Sequence, residues 1–419
     1  MVIHKNYLYL ILCIWANLGA EIFAPSFTQA QIIPDSTLGS ESSVVSPVDN
    51  LPPPAALPSS RPQMPDSAPN LPELEQFLIE GGAARDSNLF HSFREFNIDR
   101  GQQVNFANPD GIANILTRVT GNNSSDIFGA LGVSGDANLF LINPNGIVFG
   151  ENASINLNGS FFASTAEQID FANGNSFSAV NPEAAPLLTV NIPVGVQFGD
   201  NPASINTQQA NINAGDVTLL GGELNLEQTT LNAPGGQVKL GSIAEAGTVN
   251  SNSELPLDIL RGDIKISDRS FISVIAAGEG DISVEGRNFS LTDSEFLTGI
   301  KSGMGETATV GGNIDLNATK DITLIDSNIN NNLESKSVGN GGEVKIIATN
   351  LTLNDSRIVS NTKSAGNAGN IVVNTSGKLS VSNLVKTQIP SKNSRKGLFS
   401  NVDLEGSGNG GNIAIVSPE

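Results

Sequence analysis

Beyond residue 84 the chain keeps returning to one template, and that repetition leaves few folds open. A glycine and a polar residue precede two apolar residues separated by one. A second such pair follows, then one more apolar residue. Gly215 opens a copy with Val217 and Leu219, Leu224 and Leu226, then Leu231. Gly280 opens another with Ile282, Val284, Phe289, Leu291 and Phe296, and Gly312 one with Ile314, Leu316, Ile322, Leu324 and Ile329. Gly342 leads Val344, Ile346, Leu351, Leu353 and Ile358, and Gly369 leads Ile371, Val373, Leu379 and Val381. Gly236, Gly262 and Gly411 open partial copies.

Alternation at period two marks each run as a strand with one buried face. Three short strands per unit, in units of roughly 20 to 30 residues, are what a β-solenoid requires. Its coils stack so that inward Ile, Val and Leu form a column and strands pair in parallel one coil apart. The competing arrangement is a sandwich or barrel of antiparallel hairpins, which calls for two-residue turns between strands and makes the three-run grouping accidental. The openings are unevenly spaced, so some corners carry insertions, which a solenoid accommodates by projecting them outward. The final copy at Gly411 breaks off at Glu419 without a polar cap. The expectation is therefore a longer gene product or a truncated paralogue.

Composition fits an exported β protein. The first thirty residues hold one lysine, Lys5, then an apolar stretch from Tyr7 to Ala20, then Thr28-Gln29-Ala30. This predicts a secretory signal peptide over residues 1–30, cleaved between Ala30 and Gln31. The apolar stretch is short for a spanning helix and ends at Glu21. Cleavage would remove Cys13, Trp15, Tyr7 and Tyr9, the only residues of their types. Stability must then come from burial and backbone pairing rather than disulfides. The net charge of −20 argues against nucleic acid or an anionic membrane as partner. With 15% charged and 39% hydrophobic residues, the chain still has ample core.

Residues 31–80 read as a Pro-rich, solvated linker, with ten prolines from Pro34 to Pro72. The stretch Glu73 to Ile79 after Pro72, with Leu74 and Leu78 on one face, is expected to make one or two helical turns. No other segment reads as helix.

One turn stands apart from the repeat. Asn143-Pro144-Asn145-Gly146-Ile147 lies between the strand-like runs Leu139 to Ile142 and Ile147 to Phe149. Pro presets φ, Asn bonds back to the main chain and Gly accepts positive φ, so the pentapeptide predicts a tight turn. Upstream are Asn88-Leu89-Phe90-His91-Ser92-Phe93-Arg94-Glu95-Phe96 and Ile115-Leu116-Thr117-Arg118-Val119-Thr120-Gly121; downstream is Gly159-Ser160-Phe161-Phe162-Ala163-Ser164-Thr165. In that order and spacing, residues 81–250 resemble the secretion domain of the filamentous haemagglutinin family, the exported partner of two-partner secretion systems. Residues 251–419 match only as generic β-helix repeat.

The resemblance implies an all-β chain folding as a right-handed parallel β-helix with an N-terminal two-partner secretion domain. It implies export by the general secretory machinery, docking on the periplasmic domains of an outer-membrane barrel transporter, passage through the barrel unfolded, and folding outside. Asn143, Pro144, Asn145, Gly146 and Ile147 then belong to the export domain. The family often carries a second Asn-Pro-Asn-Leu turn upstream, for which the nearest counterpart here is Asn108-Pro109-Asp110-Gly111-Ile112. The implied role is a secreted or cell-surface adhesin or structural fibre whose target is a surface glycan or protein. The alternative is a carrier stalk for an effector absent from this chain.

A glycan-active β-helix enzyme is the rival from another class, but its site needs clustered carboxylates with His, Arg or Lys. Asp216, Asp263 and Asp281 fall singly at coil openings. His91 has no cysteine or serine-elbow partner in sequence, which favours a packing role. No catalytic residue, metal cluster or cofactor motif emerges. Arg261-Gly262-Asp263 spells an integrin-type tripeptide, although the repeat template already accounts for its Gly-Asp.

Overall fold

The computed structural model describes residues 31–51, 74–183, 193–250, 255–256, 258–382 and 396–418. The expected leader up to Ala30 and the proline-rich residues 52–73 lie outside them. The chain is a parallel β-helix with three sheets of 13, 9 and 12 strands as its faces, joined by a smaller four-stranded sheet. One 3-10 turn, Gly39–Glu41, interrupts the strands, and among the described residues there is no α-helix.

Each coil supplies one strand to each face, as in Val217–Gly221, Leu224–Glu227 and Thr230–Asn232. Register makes the repeat a set of columns. On the first face Val217 pairs with Val238, then Ile282, Ile314, Val344 and Ile371 follow coil by coil. Leu224, Ile264, Phe289, Ile322 and Leu351 align on the second face. Leu231, Ile272, Phe296, Ile329 and Ile358 do so on the third. These side chains form one continuous core, each contributing about 1.5–3 kcal/mol through burial.

The glycine that opens a coil is required by space. Gly236, Gly312, Gly342, Gly369 and Gly411 all lack positive φ, yet a Cβ on any of them would overlap a backbone carbonyl of the preceding opening glycine, such as that of Gly280 beneath Gly312. Gly262 departs from the expected pattern. It leads into Ile264–Ser267 of the second face, so it opens a strand within a coil rather than a coil. The intervening insertion sends Gly247–Asn250 out of the helix to pair antiparallel with Pro193–Phe198.

The corner between second and third faces repeats as well. Gln228, Asp293, Asp326 and Asp355 occupy the left-handed region, with φ of 49°, 46°, 49° and 48°. The hydroxyl residue after each one, together with Ser270 after the left-handed Arg269 (φ of 66°), builds a buried ladder. Thr229 N–H donates to Ser270 Oγ (3.0 Å), Ser270 N–H to Ser294 Oγ (3.1 Å), Ser294 N–H to Ser327 Oγ (3.2 Å), and Ser327 N–H to Ser356 Oγ (3.0 Å). Each of the four serine hydroxyls satisfies a backbone donor that the tight corner leaves without a ladder partner.

The N-terminal segment corrects two expectations. Residues 31–80 are not simply a solvated linker: Ile32–Pro34 pairs antiparallel with Asn88–Phe96, and Ser43–Val48 pairs antiparallel with Glu75–Gly81. Together they cover an edge that would otherwise present unpaired backbone groups. The helical turn expected after Pro72 is instead the strand Glu75–Gly81, parallel to Gln102–Ala107 with Ile79 opposite Phe106. The alternation of Phe77 and Ile79, which both pack against the core, prevails over the four-residue spacing of Leu74 and Leu78 because the adjacent coil offers a strand to pair with.

The four-stranded sheet of Gln168–Phe171, Ser176–Ser178, Pro193–Phe198 and Gly247–Asn250 is antiparallel. It lies over the outer side of the first face and closes a second core around Phe90, Leu116, Ile142, Phe171, Phe177 and Phe198. Nothing in the repeat pattern announced it.

The stacking account makes Gly312→Val more destabilising than its small change in size suggests. Urea unfolding of the purified chain is expected to show a loss of more than about 2 kcal/mol, and an unchanged midpoint would contradict the close approach.

Candidate functional site

The Asn143 to Ile147 turn links a first-face strand, Asn138–Ile142, to a second-face strand, Ile147–Phe149. Asn143 is fully buried. Its Nδ2 donates to Asn123 O and to Ser125 Oγ, both at 3.0 Å in the preceding coil. Its Oδ1 accepts from Asn145 N–H at 3.0 Å, closing the turn on itself. Asn143 N–H reaches forward to Ser164 O (3.0 Å), and Gly146 N–H bonds back to Asn143 O (3.1 Å). Gly146 has φ of +112°, which a side chain would strain.

Asn145 Nδ2 adds a bond to Gly121 O at 2.8 Å. The turn is thereby fastened to the coil before it and the coil after it. Pro144 is half-buried and Asn145 exposed, so these two form the outward part of the motif. The five residues do come together as a single unit, split between a buried clamp and a visible tip.

Asn108 to Ile112 is not its structural counterpart. It turns from third-face Gln102–Ala107 to first-face Asn114–Val119, a different corner of the helix. Asn108 plays a similar part there, donating to Ile112 O (2.9 Å) and accepting from Ala137 N–H (3.1 Å). In the coil before Asn143, the corner equivalent to its turn is formed by residues 120–124.

Sequence reading missed the densest polar centre, around Arg118. This side chain is fully buried. It donates through Nε to Ser92 Oγ (2.9 Å), through Nη1 to Ser178 O (2.8 Å), and through Nη2 to Thr37 Oγ1 (2.9 Å) and Glu183 O (2.7 Å). Its guanidinium carbon sits 4.2 Å from the Phe177 ring centroid. Burial pulls its pKa down to about 10, against the opposing pull of Asp35. Burial also opposes ionisation of Asp35, but bonds from Thr120, Thr37 and Ser92 outweigh it and hold the carboxyl below its usual value. One cation thus joins the N-terminal strap, two first-face strands and the external sheet. The signal available in sequence was only the Thr117-Arg118-Val119 run, an arginine inside an apolar strand.

His91 is sealed in the core beside Phe93 and Phe106. Its Nδ1 lies 3.0 Å from Ser43 Oγ of the cap, and its Nε2 has no partner among the described residues. Of the Arg261 to Asp263 tripeptide, Arg261 and Gly262 are buried and Asp263 is half-buried. Arg261 is buried against Glu285 at 3.3 Å, and Asp263 is held by Arg287 at 2.8 and 2.9 Å. Of the cleavage pair, Ala30 lies outside the described residues, while Gln31 O accepts from Asn97 N–H at 3.2 Å.

A family model described as the TPS secretion domain matches residues 56–295, more than half the chain. The heme/hemopexin-binding protein of Haemophilus influenzae is 35% identical over 91 residues, 20% of this chain and 10% of that protein. The match thus spans a tenth of that relative's length. The crystal structure of the HMW1 secretion domain from Haemophilus influenzae overlays with a TM-score of 0.37 at 20% identity, covering 81% of this chain and 95% of that one. The filamentous hemagglutinin secretion domain gives 0.32 at 14% identity, covering 92% and 100%.

Asn143→Ala should cost about 2–4 kcal/mol, since it orphans partners in two coils, and Asn145→Ala about 1 kcal/mol; urea unfolding of each variant checks the ranking. Desolvation pushes the His91 pKa from 6.5 down to about 3. As pH falls through 6.5 the unfolded chain takes up a proton that the folded chain refuses, so stability falls with pH in that window. The loss is about 2 kcal/mol by pH 5. Stability curves for His91→Gln should be flat between pH 6.5 and 5, above the range where carboxylates respond.

Proposed function

We propose that this chain, which belongs to the TPS secretion-domain family and is therefore an exoprotein of a two-partner secretion system with an outer-membrane transporter as partner, works outside the cell as an adhesin or surface structural β-helix. The family carries the secretion half of this reading. The surface role rests on the fold's chemistry: a long stack of coils with polar outward columns, in which the one histidine beyond residue 30 is sealed from solvent. The sealed histidine supports reading that role as non-enzymatic.

Recognition by the transporter's periplasmic domains is read onto the Asn143 to Ile147 turn. Its buried half supports the first coils and its outward half, Pro144 and Asn145, offers the surface. The observation that carries this reading is the division of one motif between clamp and tip. Coils that each need a neighbour for strand pairing also suit a chain that emerges unfolded and orders itself progressively. The relative's named ligands are not carried over, because the match spans only a tenth of that protein.

Secretion with and without a co-expressed partner barrel tests the assignment. Wild type should reach the medium only with the barrel, and Asn145→Ala, which spares the fold, should reduce release several-fold. Barrel-independent release would overturn the export reading, and undiminished release of Asn145→Ala would remove the tip from it.

A further inference from the structure

The second face carries a groove of about 450 Å³ on its outer side, within the range of pockets that hold small ligands. Its lining includes Phe128, Asn206, Gln208, Asn225, Glu227 and Lys265. Asn206, Asn225 and Lys265 are successive members of one outward column, aligned by the pairing of their strands. Neighbouring strands lie about 4.8 Å apart, so the column presents polar groups at a step close to the length of one sugar ring.

Two of these groups are fixed in advance. Asn206 Nδ2 donates to Ser204 Oγ at 2.9 Å, and Asn225 Nδ2 donates to Asn206 Oδ1 at 2.9 Å. Each planar amide is held in one orientation with hydrogen-bonding capacity left over. The Lys265 ammonium and the Glu227 carboxylate are exposed and unbonded to protein groups among the described residues. Phe128 is half-buried and forms an apolar wall, its ring set against Gly150, where any Cβ would overlap it, with the Arg100 guanidinium 5.9 Å from the ring centroid.

We propose that this groove binds an uncharged oligosaccharide. Amides, one carboxylate and one ammonium supply both donors and acceptors for hydroxyl groups, and the Phe128 side chain that lines the groove supplies an apolar contact for the C–H groups of a sugar. The opposed charges of Glu227 and Lys265 cancel, and the net charge of −20 repels polyanionic chains. An extended peptide is disfavoured because the strands beneath the groove are paired on both sides, leaving no backbone edge to augment. The proposal rests on the surface-binding reading above and names its ligand class.

The test uses the purified, refolded chain without any transporter, so it stands or falls separately from export. The chain is applied to immobilised neutral, N-acetylated and anionic oligosaccharides, alongside Asn225→Leu and Lys265→Ala, whose side chains face outward. Far-ultraviolet circular dichroism and urea midpoints verify that both variants keep the fold. The expected result is retention on neutral or N-acetylated chains, weakened at least tenfold by Asn225→Leu. No retention, retention confined to anionic chains, or retention unaffected by either substitution would overturn the proposal.

Discussion

Every coil of this chain takes its backbone hydrogen bonds from the coils on either side, and most other features follow from that dependence. A strand such as Leu224–Glu227 has no partner within its own coil; its ladder runs to Ile205–Gln208 and Ile264–Ser267. Stacking at strand spacing dictates what each corner can hold. Where the backbone of one coil rides directly on the last, only glycine fits, as at Gly312 and Gly369. Where the chain bends most sharply, a left-handed Asp or Gln and a buried hydroxyl take over the bonds the ladder cannot make.

A fold of borrowed partners must solve its first coil separately. Here the N-terminal strap lays antiparallel strands on two faces, and the Asp35 and Arg118 network ties that strap to the external sheet. Burying Arg118 incurs a desolvation cost, offset by four hydrogen bonds, the Phe177 ring and the nearby carboxylate. His91 sits in the same region, neutral and enclosed. The matched family region, residues 56–295, contains Arg118, His91 and the external sheet, while the strap strands Ile32–Pro34 and Ser43–Val48 precede it; the later coils repeat without additions of comparable complexity. The motif at Asn143 belongs to the early assembly, and its buried amide does for one corner what the serine ladder does for another.

The inward columns were legible because burial on one face of a strand leaves a period-two signature, and Leu231, Phe296, Ile329 and Ile358 fall where the template put them. The Asp293-Ser294, Asp326-Ser327 and Asp355-Ser356 pairs recur two residues after the second apolar pair of each template, a polar signature that apolar spacing alone does not carry. Other features have no local signature. Ser43–Val48 is a strand only because an edge needs covering, and its proline and polar content reads as linker. Gly262 resembles a coil opening because glycine serves close approaches at more than one corner. Arg118 is buried by segments distant in sequence, so nothing beside it announces the fact. Of the turn at Asn143, the tight geometry was legible but the division between clamp and tip was not, since it depends on Asn123, Ser125 and Ser164 of adjacent coils.

Hydrogen–deuterium exchange on wild type and Asn143→Ala tests most directly whether order in one coil is borrowed from its neighbours. Borrowed order predicts faster exchange not only at residues 143–149 but also at 121–127 and 203–207, the strands stacked on either side. Faster exchange confined to residues 143–147 would contradict it.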